Sequence, residues 1–463
     1  MAKIESVDMT HGSIFPKIVR FSLPLAATGI LQLLFNAADV IVVGKFSGSR
    51  SLAAVGSTSA LINLLVGAFI GLSIGANILV ARYIGCRQDE HVRRSVHCSI
   101  ALSAILGVAV LGLGLWLSVP LLRLMQTPDE VLPLAAQYLR IYFLGVPAAL
   151  VYNFGAAVLR AFGDTRRPLL YLTISGVVNV FLNLLFVIVF RLDVAGVAIA
   201  TVISQYISLA LVLLLLFRAE GLCRLRLREL RLYRDETRQI VAIGLPAGLT
   251  SIVFNISNVI IQGAVNSFGA SAIAGNAAAA SLDSFINNGM DAVAQAAITF
   301  TSQNLGAGKY ERIGKIYRSC VVTALAIGLP MCAICLLFGP QLLSIYISRA
   351  DPTYQDVIAF GMVRIRWVSA VYFTCGMMNV CCGMIRGLGK SWLPMFVTAI
   401  GACGLRIVWI VTVFAAHREL SVLYASYPVS WIVTSAAHIV CYVFAWRELM
   451  RRRDEALQTS ATF

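Results

Sequence analysis

Long apolar stretches separated by short polar segments run along almost the whole chain. Most of these stretches show no two-residue alternation of apolar and polar positions. An α-helix needs about twenty mainly apolar residues to cross the hydrocarbon core of a bilayer, and only helices or closed barrels satisfy their backbone there. The pattern predicts an all-α membrane protein with twelve transmembrane helices, centred near Phe35, Val66, Leu106, Leu144, Asn179, Ala210, Ile256, Gly289, Leu329, Ser369, Leu405 and Thr434.

Composition and charge fit the same class of protein. Only 13% of the 463 residues are charged and 59% are hydrophobic, whereas about a quarter of a typical soluble chain is charged. The net charge of +15 would indicate a nucleic-acid-binding protein if the basic residues lay on one soluble face. They lie instead in short loops between apolar stretches. We therefore expect the protein to contact membrane lipids and to have no nucleic-acid partner.

The basic residues also predict how the chain is oriented. Most of the 37 lysines and arginines fall in alternate loops, at 3–20, 82–94, 160–167, 218–238, 309–318, 386–390 and 447–453. Cytoplasmic loops of multi-pass proteins carry such an excess. We therefore expect a multi-pass protein of the cell (plasma) membrane with both termini in the cytoplasm.

The two halves of the chain repeat each other. Phe35–Gly44 reads FNAADVIVVG, Phe254–Gly263 reads FNISNVIIQG, and Arg160–Pro168 likewise matches Arg386–Pro394. Each half holds six predicted helices, an even number, so both enter the membrane with the same orientation. Such copies form two six-helix lobes related by a pseudo-two-fold axis along the membrane normal. We expect an N-terminal lobe at 1–217, a basic cytoplasmic connector at 218–237, a C-terminal lobe at 238–447 and a cytoplasmic tail at 448–463.

Asp39 is a carboxylate within the first apolar stretch. A charged side chain costs several kcal/mol in hydrocarbon, so Asp39 should face an interior cavity. The second copy of the repeat has Asn258 at this position, so the scaffold itself does not require an acid. The asymmetry suggests a transporter with its titratable site in the N-terminal half, although Asp39 could instead only join helices through hydrogen bonds. Gln32 and Asn36 share its helical face.

At this point the chain resembles the multidrug and toxic compound extrusion (MATE) transporters over nearly its whole length. The matching positions are Pro24, Gln32 and Asp39, with Gly44, Leu52–Gly56, Gly196–Ser204, Gln303–Gly308 and Arg386–Gly389. The resemblance is closer to proton-coupled DinF-like members than to NorM-type members. It implies the twelve-helix fold, alternating access, and export of organic, often cationic, small molecules in exchange for inward protons or sodium.

The resemblance also implies which residues bind the coupling ion. Asp39 matches the first-helix aspartate of the family, and its implied neighbours are Gln32, Asn36, Tyr138, Asn179, Asn183 and Thr201. Asn183 departs from the pattern of relatives that carry a second aspartate there. The acids that NorM-type members place on the seventh and tenth helices are Asn255 and Cys375 here, which favours protons over sodium. Pro24 is the implied conformational hinge of the first helix.

A second acid, Asp283, lies deep in the eighth apolar stretch and has no evident salt-bridge partner in the sequence. With Asn287, Phe285 and Asn255 it forms a possible substrate or second cation site. The alternative is a polar helix face that lines water.

Other chemistry is weakly represented in the sequence. Most of the eleven cysteines lie in apolar stretches, where cysteine behaves as a small hydrophobe, so we expect no metal site. Without a glycine-rich phosphate loop we expect no ATP-driven transport, and no cofactor beyond the coupling ion. We expect a monomer. Two alternatives stay open: a lipid-linked oligosaccharide flippase of the same superfamily, and a membrane-embedded enzyme, for which we find no nucleophile, base or metal set.

Overall fold

The computed structural model describes residues 7–125, 127–347, 349 and 351–461. These residues are mainly helical and form no β-strand. The helices of the first half are α1 Phe15–Phe46, α2 Gly48–Cys86, α3 Asp89–Leu124, α4 Leu132–Ala161, α5 Arg166–Leu184 and α6 Asp193–Arg218. Those of the second half are α7 Arg234–Asn266, α8 Ala270–Gly306, α9 Tyr310–Leu337, α10 Gly339–Leu343, α11 Tyr354–Trp367, α12 Phe373–Gly387, α13 Trp392–Thr398, α14 Leu405–Trp409 and α15 Leu420–Ala461.

Three of the predicted helices are interrupted. The fifth continues from α5 into a π-helical turn at Leu185–Val189, and the eleventh contains two such turns, Ala399–Gly404 and Ile410–Phe414, on either side of α14. The tenth is broken by a 3₁₀ turn at Ser369–Val371 and bends by 41° between α11 and α12. The apolar pattern placed a helix centre at Ser369, so it did not predict this break. With each interrupted helix taken as one segment and the five-residue α10 set aside, the described residues form the twelve predicted segments.

Ten of the described helices are long and apolar enough to cross a membrane, and eleven if α11 and α12 form one span. The remaining long segment is α8. It carries Asp283, Asn287 and Asn288 in its middle, and these polar side chains lower its hydropathy. Several of its polar residues are buried within the protein.

The chain divides into two compact units. One contains Ala27–Gly248, and the other contains Met9–Ala26 together with the chain from Leu249 onward. These units differ from the predicted lobes because α1 and α7 are each divided between them, and because the 218–237 connector belongs with the first unit. Pro24 lies just before the division in α1, and Pro246 lies just before the one in α7.

One central helix organises each unit. In the first unit α4 packs against α2, α3 and α6, and its Leu139 and Phe143 are almost completely buried. In the second unit α8 packs against α9, α11 and α12. Residues on the inner faces of α4 and α8 therefore lie at the centres of their units, where Tyr138 and Asp283 are found.

Glycines allow the start of α7 to pack tightly against α2 in the first unit. Gly71 and Gly75 on α2 meet Gly244 and Gly248 on α7. A Cβ atom added at Gly75 would lie 2.2 Å from the carbonyl oxygen of Ile240, and one at Gly248 would lie 2.4 Å from that of Ala68. Small residues four apart on both helices let the two backbones approach each other closely.

Candidate functional site

The first unit contains a polar cavity of about 590 Å³. Its walls come from α1, α2, α4, α5 and α6. Six of the seven residues proposed for ion coupling line it: Gln32, Asn36, Asp39, Tyr138, Asn179 and Thr201. The seventh, Asn183, is fully buried and donates a hydrogen bond to Asp39. The sequence therefore identified residues from four helices that the fold brings together.

Asn183 connects the carboxyl group of Asp39 to a series of hydrogen bonds that continues through Asn179 and Thr201. Asn179 donates from Nδ2 to Thr201 Oγ1 at 3.4 Å, and the Thr201 hydroxyl donates to the Val197 carbonyl at 2.9 Å. Asn183 Nδ2 donates to Asn179 Oδ1 at 3.3 Å and also to Asp39 Oδ1. Asp39 is thus an acceptor in this arrangement, which is the role that an ionised carboxylate can fill.

Asn183 also has a hydrogen-bond acceptor that is not used. Its Oδ1 atom is buried and has no hydrogen-bond partner among the described residues. Rotation of the amide would present this oxygen, instead of the nitrogen, to Asp39. A protonated carboxyl has one O–H to donate, so the same side chain can serve both protonation states of Asp39.

Gln32 and Asn36 line the same cavity as Asp39 but do not contact its carboxyl group through a hydrogen bond described by the structure. Both side chains lie on the cavity wall formed by α1 and are exposed, whereas the side chain of Asp39 is half-buried. Within the described part of the chain neither amide forms a hydrogen bond with Asp39. They are placed to contact a molecule in the cavity and do not directly tune the carboxyl.

Other polar residues of the cavity were missed in the sequence. Tyr142 and Gln205 line it, as do Ser175 and Ser208, whose hydroxyl groups are 2.7 Å apart. Helical spacing could have found most of them, because Tyr142 follows Tyr138 by four residues and Gln205 follows Thr201 by four. The rings of Tyr138 and Tyr142 stack with their centroids 6.3 Å apart.

Phe35 forms an aromatic part of the same cavity wall. A Cβ atom added at Gly176 on α5 would lie 1.9 Å from the Phe35 ring. Glycine at that position therefore makes room for the ring. The cavity combines one carboxyl with neutral polar groups and aromatic faces, which suits an organic cation.

The second predicted site has a different structure. The expectation that Asp283 lacks a salt-bridge partner is wrong, because Arg364 on α11 binds it through Nε at 3.0 Å and Nη2 at 2.9 Å. Ser369 donates to its other carboxyl oxygen at 2.5 Å. The sequence could not reveal this pair, since its members lie 81 residues apart.

The other residues of that second set do not gather around Asp283. Asn255 donates to the Ser251 carbonyl on its own helix at 3.0 Å, and Phe285 and Asn287 are half-buried on α8. A cation or substrate site at Asp283 stays a prediction, and it would now require Arg364 to move away. Among the described residues, no group of three or more His, Cys, Asp or Glu side chains could hold a metal ion.

Comparison with known proteins gives consistent matches. The MatE family profile matches residues 24–185 and 246–412. The chain is 28% identical over 447 residues to the probable multidrug resistance protein YpnP of Bacillus subtilis (strain 168), covering 96% of this chain and 99% of that protein.

Solved structures share the fold. A MATE protein in complex with MaL6 has a TM-score of 0.90 at 23% identity and covers 96% of this chain and 99% of its own. An outward-facing multidrug resistance MATE family transporter of the MOP superfamily has a TM-score of 0.87 at 23% identity, covering 98% and 100%. At this identity the structures establish the twelve-helix fold alone.

Proposed function

The chain belongs to the MatE family, and from that premise we propose that it is a secondary active multidrug antiporter, exporting organic cations in exchange for inward-moving protons. Its family makes it a multi-pass membrane transporter and not an enzyme. The proposal adds the antiport mode, the coupling ion and the substrate class. The observation that carries it is the Asp39 carboxyl at the wall of a polar cavity, within the hydrogen-bond series of Asn183, Asn179 and Thr201.

Protons fit this site better than sodium ions. A sodium ion needs several oxygen ligands directed at one point, whereas the Nδ2 donor of Asn183 is directed at Asp39 Oδ1. A proton needs only the carboxyl and one acceptor, and rotation of Asn183 supplies the acceptor. This preference agrees with a DinF-like and not a NorM-type mode of coupling.

Proton binding would neutralise Asp39 and remove its attraction for a cationic substrate in the same cavity. Exchange follows, because proton and substrate compete for one negative charge. The change in hydrogen bonding would be transmitted along α1. Pro24 lacks a backbone N–H and so permits bending in that helix. Alternating access would come from this bending of α1. The proposal also places both termini in the cytoplasm.

A lipid-linked oligosaccharide flippase is less well supported. Its substrate carries a pyrophosphate, which calls for cationic groups in the cavity. None of the residues found to line the cavity in the described part of the first unit is lysine or arginine. A molecule with two phosphate charges would therefore meet Asp39 without any compensating cation.

The test is gradient-driven efflux of a cationic dye from proteoliposomes. We expect the wild-type protein to transport under an imposed pH gradient and to gain nothing from a sodium gradient. Asp39→Asn keeps the size and polarity of the side chain but cannot bind a proton, so we expect at least a tenfold loss of pH-driven efflux.

Asp129→Asn is the matched control. Asp129 is exposed in the loop between α3 and α4, and its substitution removes the same charge from the same unit. We expect efflux at the wild-type rate. Full pH-driven efflux by Asp39→Asn would exclude Asp39 as the coupling residue, and efflux driven only by sodium would exclude proton coupling.

A further inference from the structure

Arg406 is a buried cation inside the second unit. It lies on α14 between two π-helical turns and is 1% exposed. Its Nε atom donates to Ser430 Oγ at 2.9 Å. Its guanidinium carbon lies 4.2 Å from the ring centroid of Tyr427 and 5.4 Å from that of Trp431. The aromatic faces stabilise the charge in part, but within the described residues no carboxylate lies within salt-bridge distance of Arg406.

Two donors of this group also lack an acceptor among the described residues. Nη2 of Arg406 and Nε1 of Trp431 are buried and make no hydrogen bond to them. Their side chains contact each other. A buried donor without an acceptor is unfavourable, and more so when the donor is charged. Arg406 and the neighbouring Trp431 thus each have one buried donor, one charged and one neutral, that lacks an acceptor among the described residues.

The nearest ion pair does not supply the missing negative charge. Asp283 is bound by Arg364 through two nitrogen atoms. The guanidinium carbon of Arg364 lies 5.3 Å from the centroid of the same Tyr427 ring that Arg406 contacts. Arg364 and Arg406 thus both lie against this ring, and among the described residues Arg364 has a carboxylate within salt-bridge distance whereas Arg406 does not. Water could accept the free hydrogen bonds, but only an anion would also neutralise the charge.

We propose that the second unit binds a singly charged anion against Arg406 and Trp431. The ligand is a compact hydrogen-bond acceptor, which is either an inorganic halide or the carboxylate of an organic solute. In the first unit, Asn183 of α5 donates a hydrogen bond to the carboxyl group of Asp39, and Thr201 of α6 lines the same cavity. The corresponding segments of the repeat, around α14 and on α15, surround a cation. The two halves of the duplicated chain thus carry sites of opposite charge.

Binding requires no gradient, so this proposal does not rest on the antiport mechanism. The full-length protein, purified in detergent, is titrated separately with sodium chloride and sodium benzoate. Sodium sulfate, which is doubly charged and strongly hydrated, keeps the ionic strength constant. The readouts are the apparent melting temperature and tryptophan fluorescence, because a ligand that binds only the folded state raises the melting temperature. We expect at least one of the two anions to raise it.

Substitutions of Arg406 locate the site. Arg406→Gln removes the charge, and we expect at least a tenfold weaker apparent affinity for the anion. Arg406→Lys keeps the charge and should retain part of the affinity. Arg140→Gln is the matched control, because Arg140 is exposed on α4 of the first unit. It loses the same charge and should bind as the wild type does.

Trp431→Phe provides a test that leaves the charge intact. It keeps an aromatic ring beside Arg406 but removes both the Nε1 donor and the local fluorophore. We expect weaker binding and loss of the anion-dependent fluorescence change, a result that stands even if Arg406→Gln does not fold.

The two anions distinguish the sources of the ligand. A response to benzoate alone indicates an organic carboxylate, and a response to chloride alone indicates an inorganic anion. The proposal is wrong if neither anion changes the wild-type protein, if Arg406→Gln responds as the wild type does, or if Trp431→Phe keeps the full fluorescence change.

Discussion

Asp39 and Asp283 are both carboxyl groups inside helical units, but their partners differ. Arg364 contacts Asp283 through two nitrogen atoms and Ser369 adds a hydroxyl donor, so a fixed cation balances that charge. Asp39 receives a hydrogen bond from the neutral amide of Asn183 and lies at a cavity wall. A carboxyl without a fixed cation can gain and lose a proton without stranding an opposite charge. That difference makes Asp39 the better candidate for coupling.

Asn183→Ala tests how the amide tunes Asp39. The substitution removes a donor to the ionised carboxylate and an acceptor for the protonated carboxyl. The bond to the ionised form is the stronger one, because hydrogen bonds to charged groups contribute about 1.5–3 kcal/mol and neutral ones about 0.5–1.5 kcal/mol. We expect the alkaline limb of the efflux-against-pH curve to move to higher pH by roughly one unit or more. Proteoliposome efflux measured at a series of external pH values checks this.

Asn153→Ala serves as the comparison for that experiment. Asn153 lines the same cavity, but its amide donates to the Ala149 carbonyl on its own helix. Whatever its effect on the rate, it should leave the position of the pH curve unchanged. An unmoved curve for Asn183→Ala would contradict the assigned role of that amide.

The Asp283–Arg364 pair makes a prediction about stability. Removing one partner of a buried ion pair leaves an uncompensated charge and costs about 3–5 kcal/mol. We therefore expect Arg364→Met to lower the apparent melting temperature strongly. The double substitution Asp283→Leu with Arg364→Met removes both charges and should recover most of the loss. Thermal unfolding in detergent measures both variants, and equal losses in the single and double variants would show that the pair is not coupled.

At the scale of elements, close helix packing depends on a few glycines. The crossing of α2 with the start of α7 brings backbone against backbone at Gly71, Gly75, Gly244 and Gly248. Van der Waals contact between such surfaces drives association where hydrophobic burial gains little. The start of α7 therefore belongs to the first unit, although it follows the connector that separates the two repeats.

Gly75→Ala tests this crossing. Its Cβ atom would lie 2.2 Å from the Ile240 carbonyl oxygen, so the two helices must separate, and overpacking of this kind costs about 1–3 kcal/mol. We expect a lower apparent melting temperature. Gly56→Ala is the control on the same helix, because nothing lies within 4 Å of a Cβ atom there. It should be neutral or slightly stabilising, and a similar loss in both variants would contradict the packing argument.

At the scale of the whole molecule, the sequence repeat and the compact units divide the chain differently. The repeat places the border in the 218–237 connector. In the compact units, however, the first part of α1 belongs to the second unit and the first part of α7 belongs to the first unit. The distribution of lysine and arginine among the loops is also a property of the whole chain.

This distribution predicts which side of the membrane each loop faces, and a single native residue can test that prediction.

Cys86 tests the orientation. Of the eleven cysteines it is the one that is exposed. It is the last residue of α2, next to a turn that the basic residues place in the cytoplasm. A membrane-impermeant maleimide should leave intact cells unlabelled and label Cys86 after permeabilisation. Cys86→Ser should abolish the signal. Glu130→Cys, in the loop after α3, should be labelled in intact cells. Labelling of native Cys86 in intact cells would reverse the orientation.

The sequence by itself predicted the twelve helices and the duplication, and it singled out Asp39. Each of these depends on local composition or on helical spacing, which the chain carries without folding. The partners of Asp39 on other helices were implied only by the resemblance to the MATE family. Asn179 and Asn183 share a face because they are four residues apart, and Asp39 stands out because an acid is costly in an apolar stretch.

Only the tertiary structure decided which side chains from distant segments meet. It paired Asp283 with Arg364, placed Asn183 against Asp39, broke the tenth segment at Ser369–Val371, and left Arg406 beside Trp431 without an acidic partner. These outcomes depend on how helices pack and on where a buried charge finds its partner. Neither is encoded in the spacing of residues along one helix.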